Sequence, residues 1–115
     1  MPRPIQAQID LDALASNLRV ARAATSARIM AVIKANGYGH GLLNVAEAAR
    51  AADGFAVLDV SDGVRLREAG FVQPIVLLEG FFDLDDLPVC AEYELSCVVH
   101  SEWQLKMLVH YPRRA

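Results

Sequence analysis

Residues 30–41 read Met-Ala-Val-Ile-Lys-Ala-Asn-Gly-Tyr-Gly-His-Gly, a short apolar run that ends at a lysine and continues into a segment with three glycines. A short apolar run bounded by glycines is typical of a buried strand. Beyond it, the spacing of four apolar residues is that of one helical face: Leu42, Val45, Ala46 and Ala49. The stretch therefore predicts a strand, a glycine-rich loop and an amphipathic helix in succession.

The same succession recurs along the chain. Apolar runs occupy residues 29–33, 55–58, 75–78 and 95–99, without strict alternation, which predicts strands buried on both faces. Amphipathic stretches separate them, as in right-handed βαβ units of a parallel α/β sheet. The spacing of about 20 to 25 residues fits the first four units of a (β/α)8 barrel of about 250 residues. A doubly wound parallel sheet would show the same pattern, so both architectures stay open.

Capping residues predict where the helices begin. The expected N-terminal signals are Asp12 before a helix with Leu14 and Leu18, Ser61 before a helix through Ala69 that Gly70 ends, Asp83 before a short helix to Leu87, and Ser101 with Gln104 at capping-box spacing. Pro112 is expected to limit the last helix.

Composition excludes several classes of protein. The chain has 115 residues, 54% of them hydrophobic and 22% charged, which is enough apolar material for one core and argues against disorder. A net charge of −3 provides no basic field for nucleic acid. No apolar run approaches the roughly 20 residues that span a bilayer, and residues 1–6 lack the apolar core of a secretory signal. We therefore expect a cytoplasmic protein.

Cysteine and histidine spacing indicates neither a disulfide framework nor a metal centre. Cys90 and Cys97 form no C-x-x-C motif, and both are interpreted as small buried hydrophobes. The three histidines are too scattered for a metal site, so none is expected. Asp59, Glu79 and His100 each follow an apolar run and would lie at the same sheet edge as Lys34, where supporting or solvated roles are favoured over catalysis.

The chemistry of residues 34–41 suits a phosphorylated aldehyde. Lys34 follows a buried strand, where partial desolvation disfavours the ammonium and favours a Schiff base. The glycines allow close backbone approach, the next helix offers its positive end to a phosphate, and Tyr38 offers a hydroxyl. This combination points to pyridoxal phosphate. The structural alternative is a lysine that extends to solvent before an ordinary glycine turn.

The segment Val-Ile-Lys-Ala-Asn-Gly-Tyr-Gly-His-Gly, residues 32–41, resembles the pyridoxal-phosphate signature of alanine racemases, with Gly37 where that family commonly has alanine. Further segments resemble the family in its order: residues 9–14, 53–57, 66–70, 77–82 and 99–104. The resemblance covers roughly residues 5–109 and implies a fold-type III isomerase. Such an enzyme has a (β/α)8 TIM barrel followed by a mostly β C-terminal domain and works as a homodimer.

Carried onto this chain, the resemblance implies that Lys34 forms the Schiff base and acts as the base on the D-alanine face of the substrate Cα. Tyr38 would contact the cofactor phosphate, and His40 would stabilise the loop at least as readily as it would act in catalysis. D-alanine would then serve bacterial peptidoglycan synthesis.

The resemblance also implies what these residues do not contain. The family's second base is a tyrosine of the partner subunit's C-terminal domain, and neither Tyr93 nor Tyr111 lies in a matching context. Residues 1–115 are therefore expected to be a truncated N-terminal part of the barrel domain without the β domain. The isolated chain is expected to be inactive, marginally stable and prone to self-association.

Two other functions remain open at this stage. One is a non-catalytic pyridoxal-phosphate-binding barrel protein that buffers the cofactor, although its lysine motif lacks the Ala-Asn-x-Tyr-Gly-His-Gly continuation present here. The other is a remnant with neither activity nor cofactor.

Overall fold

The computed structural model describes residues 4–111, so the expectation for Pro112 lies outside the described residues. The elements in chain order are α1 (Leu11–Ala24), β1 (Met30–Val32), α2 (Lys34–Tyr38), α3 (Leu42–Ala48), β2 (Gly54–Val57), α4 (Val60–Glu68), β3 (Ile75–Leu77), α5 (Asp86–Glu92), β4 (Ser96–Cys97) and α6 (Glu102–His110). Each of the four predicted apolar runs contains or overlaps a strand, and β1, β3 and β4 are shorter than their runs.

The four strands form one parallel sheet in the order β1-β2-β3-β4. Ala31 pairs with Phe55, which pairs with Ile75, and Leu77 pairs with Cys97. Every strand therefore lies beside the next strand of the chain. A doubly wound sheet reverses its strand order at a switch point, whereas a (β/α)8 barrel does not. The sequential order shows the partial TIM barrel, confirming the α/β fold and resolving the alternative that periodicity left open.

The two faces of the sheet differ in burial. One face packs on the helices and forms the core, which includes Phe55, Val57, Ile75 and Leu77, all 0% exposed. The other, which we call the open face, carries Met30, Val32, Ala56, Val76 and Ser96. Met30 and Val32 are 44% and 43% exposed. The prediction of strands buried on both faces is therefore right for β2 and wrong for β1 and β4, because no described element covers the open face at the two edges of the sheet.

Two predicted helix caps lie two residues away from the true ones. Asp10, rather than Asp12, caps α1, and its Oδ1 accepts a hydrogen bond from the Ala13 amide at 3.0 Å. Asp59, rather than Ser61, caps α4 by accepting from the Asp62 amide at 3.1 Å. Both caps have extended backbone, which lets the carboxylate reach the amide three residues ahead. The short helix predicted from Asp83 is α5, which begins at Asp86.

Gln104 does not complete the predicted capping box. Ser101 occupies the N-cap position of α6, but its side chain makes no cap hydrogen bond. Gln104 is 0% exposed, accepts from the His100 amide at 2.8 Å, and donates to the carbonyls of Glu79 and Phe81 at 3.1 and 3.2 Å. Satisfying these loop carbonyls outweighs the local cap, since buried polar groups need partners. Gln104 therefore joins the segments that follow β3 and β4.

Arg67 organises the opposite end of the sheet. Its guanidinium donates to the carbonyls of Tyr93 at 2.8 Å, Phe71 at 2.9 Å, Gln73 at 2.7 Å and Glu94 at 3.1 Å. These carbonyls belong to the turns that end α4 and α5, where carbonyl groups lack helical partners and attract cations. One side chain thus fixes the turns that lead into β3 and β4.

Arg67→Lys is expected to lower the free energy of unfolding by about 1–3 kcal/mol, because an ammonium cannot reproduce the planar fork that serves four carbonyls. Urea denaturation measures the change. Arg65→Lys is the matched control, because Arg65 forms only a 3.8 Å ion pair with Asp62, and it should shift stability by less than about 0.5 kcal/mol. Equal effects of the two substitutions would contradict the role of Arg67.

Candidate active site at the end of the first strand

Lys34 lies where β1 ends. Ile33 is still joined to β2 through its amide, which donates to the Ala56 carbonyl at 2.9 Å, and its side chain is buried in the core. Lys34 follows and is half-buried. Val32, two residues earlier, lies on the open face, and Lys34 begins the turn that follows the strand. In (β/α)8 barrels, the carboxyl ends of the strands form the active-site rim.

The segment after Lys34 is an ordered left-handed turn rather than the loop predicted from its glycines. Ala35, Asn36, Gly37 and Tyr38 have φ values of 53°, 55°, 64° and 55°. Left-handed backbone costs non-glycine residues roughly 1–2 kcal/mol each, so surrounding contacts must hold it. The Gly37 amide donates to the Ile33 carbonyl at 3.0 Å, and three further backbone bonds, from the amides of Gly39, His40 and Gly41, close the turn.

Asn36 connects the turn to α3. Its side-chain Oδ1 accepts a hydrogen bond from the Leu42 amide at 2.9 Å, while its carbonyl accepts from the Gly41 amide at 2.8 Å. The first amide of α3 is therefore occupied. The expectation that the positive end of the helix meets a phosphate stays a prediction, and it now rests on the amides that follow Leu42. Sequence reasoning missed Asn36, although asparagine is one of the few residues that tolerates left-handed backbone.

Gly37 allows the turn to pack directly on α3. A Cβ atom at this position would lie 2.8 Å from Cγ2 of Val45, which is closer than side-chain atoms normally approach. Gly39, two residues later, also has positive φ but has no atom within 4 Å of such a Cβ. Glycine is therefore favoured for different reasons at the two positions. At Gly37, close packing and backbone conformation both favour it, whereas at Gly39 only the backbone conformation does.

Lys34 and Tyr38 are the candidate site residues, and they stand at the two ends of this turn. Tyr38 is 58% exposed. Within residues 4–111, neither the Lys34 amine nor the Tyr38 hydroxyl has a hydrogen-bond partner, so both are free to meet a ligand. An amine and a phenol at the ends of one turn fit a cofactor that carries an aldehyde and a phosphate. The donor set is therefore compatible with pyridoxal phosphate.

The other polar residues at the sheet edge have structural partners or lie elsewhere. Asp59 caps α4, and the His100 ring lies 3.1 Å from the Glu79 carbonyl. His40 is exposed and lines a groove of about 340 Å³ beside the start of α1. None of these contacts brings a side chain to Lys34. Their supporting or solvated roles stay a prediction.

Asp53 anchors the start of the strand that carries Lys34. Its Oδ2 accepts hydrogen bonds of 2.7 Å from the Ile29 amide and from Nη1 of Arg22 on α1. The Ile29 amide, followed by the Arg22 side chain, holds the pKa of the Asp53 carboxyl below its usual value of 3.8. This carboxylate joins α1, β1 and the segment before β2.

The sequential order of the parallel strands defines the chain as part of a (β/α)8 barrel. The Lys34 amine lies at the carboxyl end of the first strand of that barrel segment. Comparison with known proteins gives the family. Residues 9–115 match the family described as alanine racemase, N-terminal domain, and the chain belongs to that family.

Two relatives and one solved structure illustrate the match. The chain is 57% identical to the alanine racemase of Nitrosospira multiformis, over 100% of this chain and 32% of the relative. It is 54% identical to the catabolic alanine racemase of Pseudomonas aeruginosa, over 92% of this chain and 30% of the relative. The structure of alanine racemase from Acinetobacter baumannii superimposes with a TM-score of 0.81 at 37% identity, covering 88% of this chain and 30% of that one. The chain thus spans about a third of the length of these proteins.

Two further structural findings apply to the described part of the chain. Residues 4–111 contain no helix that is long and apolar enough to cross a membrane. The same residues contain no cluster of three or more side chains that could hold a metal ion.

Gly37→Ala is expected to destabilise the fold more than Gly39→Ala, by about 1–2 kcal/mol, because Gly37 combines positive φ with a close neighbour and Gly39 does not. Thermal or urea unfolding of both variants measures the difference. Adding Val45→Ala should remove most of the excess cost in a double-mutant cycle. An additive cycle would show that contact with Val45 does not select glycine.

Asp53→Asn is expected to weaken the acid dependence of stability. The pKa of Asp53 is lowered on folding, so its contribution is present above the unfolded pKa of about 4 and is lost as pH falls through the lower folded value. Urea midpoints recorded from neutral to acidic pH should therefore fall less steeply in the variant. Asp83→Asn, at an exposed loop position, should leave the slope unchanged. An unchanged slope in Asp53→Asn would contradict the anchoring role.

Proposed function

We propose that residues 1–115 form the N-terminal part of the barrel domain of an alanine racemase, which interconverts L- and D-alanine with pyridoxal phosphate. The family match supports this proposal, and the observation that carries it is the placement of Lys34. The amine lies at the carboxyl end of β1, half-buried, at the start of a turn that ends at Tyr38. The names of the relatives favour a racemase over a non-catalytic cofactor-binding protein.

In this proposal, Lys34 would hold the cofactor through its amine and would also be the base that moves the proton at Cα on the D-alanine face. The Tyr38 hydroxyl would donate a hydrogen bond to the cofactor phosphate. When bound, pyridoxal phosphate supplies an electron sink that stabilises negative charge at Cα. The hydrogen-bonded turn fixes the backbone positions of Lys34 and Tyr38, so only their side chains need to be ordered on binding.

Inversion at Cα needs a second base on the opposite face, because a single base would return the proton to the side from which it came. We propose that the second base is a tyrosine of a partner subunit's C-terminal domain, in a homodimer of the whole enzyme. That domain belongs to the part of the relatives that this chain does not span. These 115 residues alone are therefore expected not to racemise alanine.

We also propose that the isolated chain self-associates. In the described residues, β1 and β4 each have one strand neighbour and so present unpaired edges. The open face adds exposed apolar surface at Met30 and Val32, and Val98 extends it beyond β4 at 37% exposure. Pairing with a second copy would cover this surface.

The proposed location is the cytoplasm, and the proposed use of D-alanine is peptidoglycan synthesis. Family membership supports both. The relative named as a catabolic alanine racemase makes alanine breakdown the competing use.

Cofactor attachment is testable because the chain has only two lysines, Lys34 and Lys106. The protein is mixed with pyridoxal phosphate, its absorption spectrum is recorded, and the adduct is reduced with borohydride and located by peptide mapping. We expect the label on Lys34, which is half-buried at the start of the turn that ends at Tyr38. Lys106 is exposed on α6, outside that turn. Racemase assays of the same sample should show no turnover.

The matched variants are Lys34→Ala, which should abolish the label, and Lys106→Ala, which should retain it. Labelling that persists in Lys34→Ala would contradict the cofactor assignment. Robust racemisation by the 115-residue chain would instead contradict the need for a second base from outside it.

A further inference from the structure

The two cysteines of the chain meet across the junction of α5 and β4. Their Sγ atoms are 3.5 Å apart, and neither is in a disulfide. The backbone creates this proximity. Glu94 has a φ of 53°, and the Leu95 amide donates to the Cys90 carbonyl at 2.8 Å, so the chain turns sharply at the end of α5. Cys97 on β4 is thereby brought back beside the last turn of the helix.

The two thiols differ in exposure and share an apolar groove of about 280 Å³, whose wall includes Phe81, Leu87, Leu95 and Val99. Cys90 is 6% exposed, whereas Cys97 is half-buried. The hydrogen bond between the sulfurs lowers the pKa of Cys97 and raises that of Cys90. Cys97 is thus the more exposed residue of the two and the one whose pKa is lowered, and the thiolate is the nucleophilic form of cysteine.

We propose that Cys90 and Cys97 form a dithiol site that a small hydroperoxide oxidises reversibly to an intramolecular disulfide. The Cys97 thiolate attacks the peroxide oxygen, the O–O bond breaks, and a sulfenic acid and one molecule of water (or alcohol) result. The Cys90 thiol then attacks the Cys97 sulfur, the S–O bond breaks, and a second water leaves with the Cys90 proton. The two thiols lose two electrons and the hydroperoxide gains them.

The geometry favours this pair over reaction of either cysteine alone. A disulfide needs the sulfurs at about 2 Å, so they must approach by about 1.5 Å, a movement within reach of side-chain rotation. The product would join the end of α5 to β4. Lys34 follows β1, at the other edge of the sheet. Oxidation should therefore leave cofactor labelling of Lys34 unchanged, and the inference stands independently of the proposed function.

To test the proposal, the reduced 115-residue chain is treated with hydrogen peroxide. The mass of the intact chain and the number of free thiols are then followed over time. We expect loss of two hydrogens, disappearance of both thiols and full recovery with dithiothreitol. Cleavage after Glu92 and Glu94 separates the cysteines onto different peptides, so a linked peptide identifies the bond. Separation under non-reducing, denaturing conditions distinguishes a bond within one chain from a bond between chains.

Two variants assign the roles of the thiols. Cys90→Ser should stop at a sulfenic acid on Cys97 that dimedone traps. Cys97→Ser should consume its remaining thiol about tenfold more slowly than the wild-type chain, because Cys90 is buried and its pKa is raised. The proposal is overturned if the oxidised wild type yields no peptide linking Cys90 to Cys97, if the linkage joins two chains, or if Cys97→Ser reacts as fast as the wild type.

Discussion

The left-handed turn from Ala35 to Tyr38 is the constraint on which the rest of the site depends. It ends β1, places Lys34 at the sheet edge, and starts α3 through the hydrogen bond from the Leu42 amide to Asn36. Its strained backbone is held because Ile33 is buried below it and Val45 packs against Gly37. A flexible glycine loop would leave the backbones of Lys34 and Tyr38 without a defined separation.

The second constraint is the sequential parallel pairing of the four strands, with helices on one face. It concentrates the core between the sheet and the helices and leaves Met30 and Val32 exposed on the open face. This asymmetry is what a barrel segment requires, because the interior of a barrel is filled by side chains from the whole ring of strands. Arg67 and Gln104 maintain it by joining the turns at either end of β3 and β4.

Sequence alone predicts the elements whose signals are local. The apolar runs locate the strands, and the resemblance of residues 32–41 indicates the family. Caps such as Asp10 and Asp59 are displaced by two residues, because Asp12 and Ser61 satisfy the same residue preference and only backbone conformation separates them. The left-handed turn is missed since Ala35 and Tyr38 rarely adopt such backbone, and only packing selects it. The role of Gln104 depends on carbonyl groups more than 20 residues away, and the contact of the two cysteines depends on the tight turn at Glu94. The spacing of residues in the sequence reveals neither.

A crystal structure of this chain grown with pyridoxal phosphate tests most directly whether Lys34 and the turn after it hold the cofactor. We expect continuous density from Nζ of Lys34 to the cofactor. The phosphate should lie beside the Tyr38 hydroxyl, and residues 35–38 should keep their left-handed backbone. Density attached to Lys106, or a right-handed or disordered segment after β1 that leaves Lys34 in bulk solvent, would contradict it.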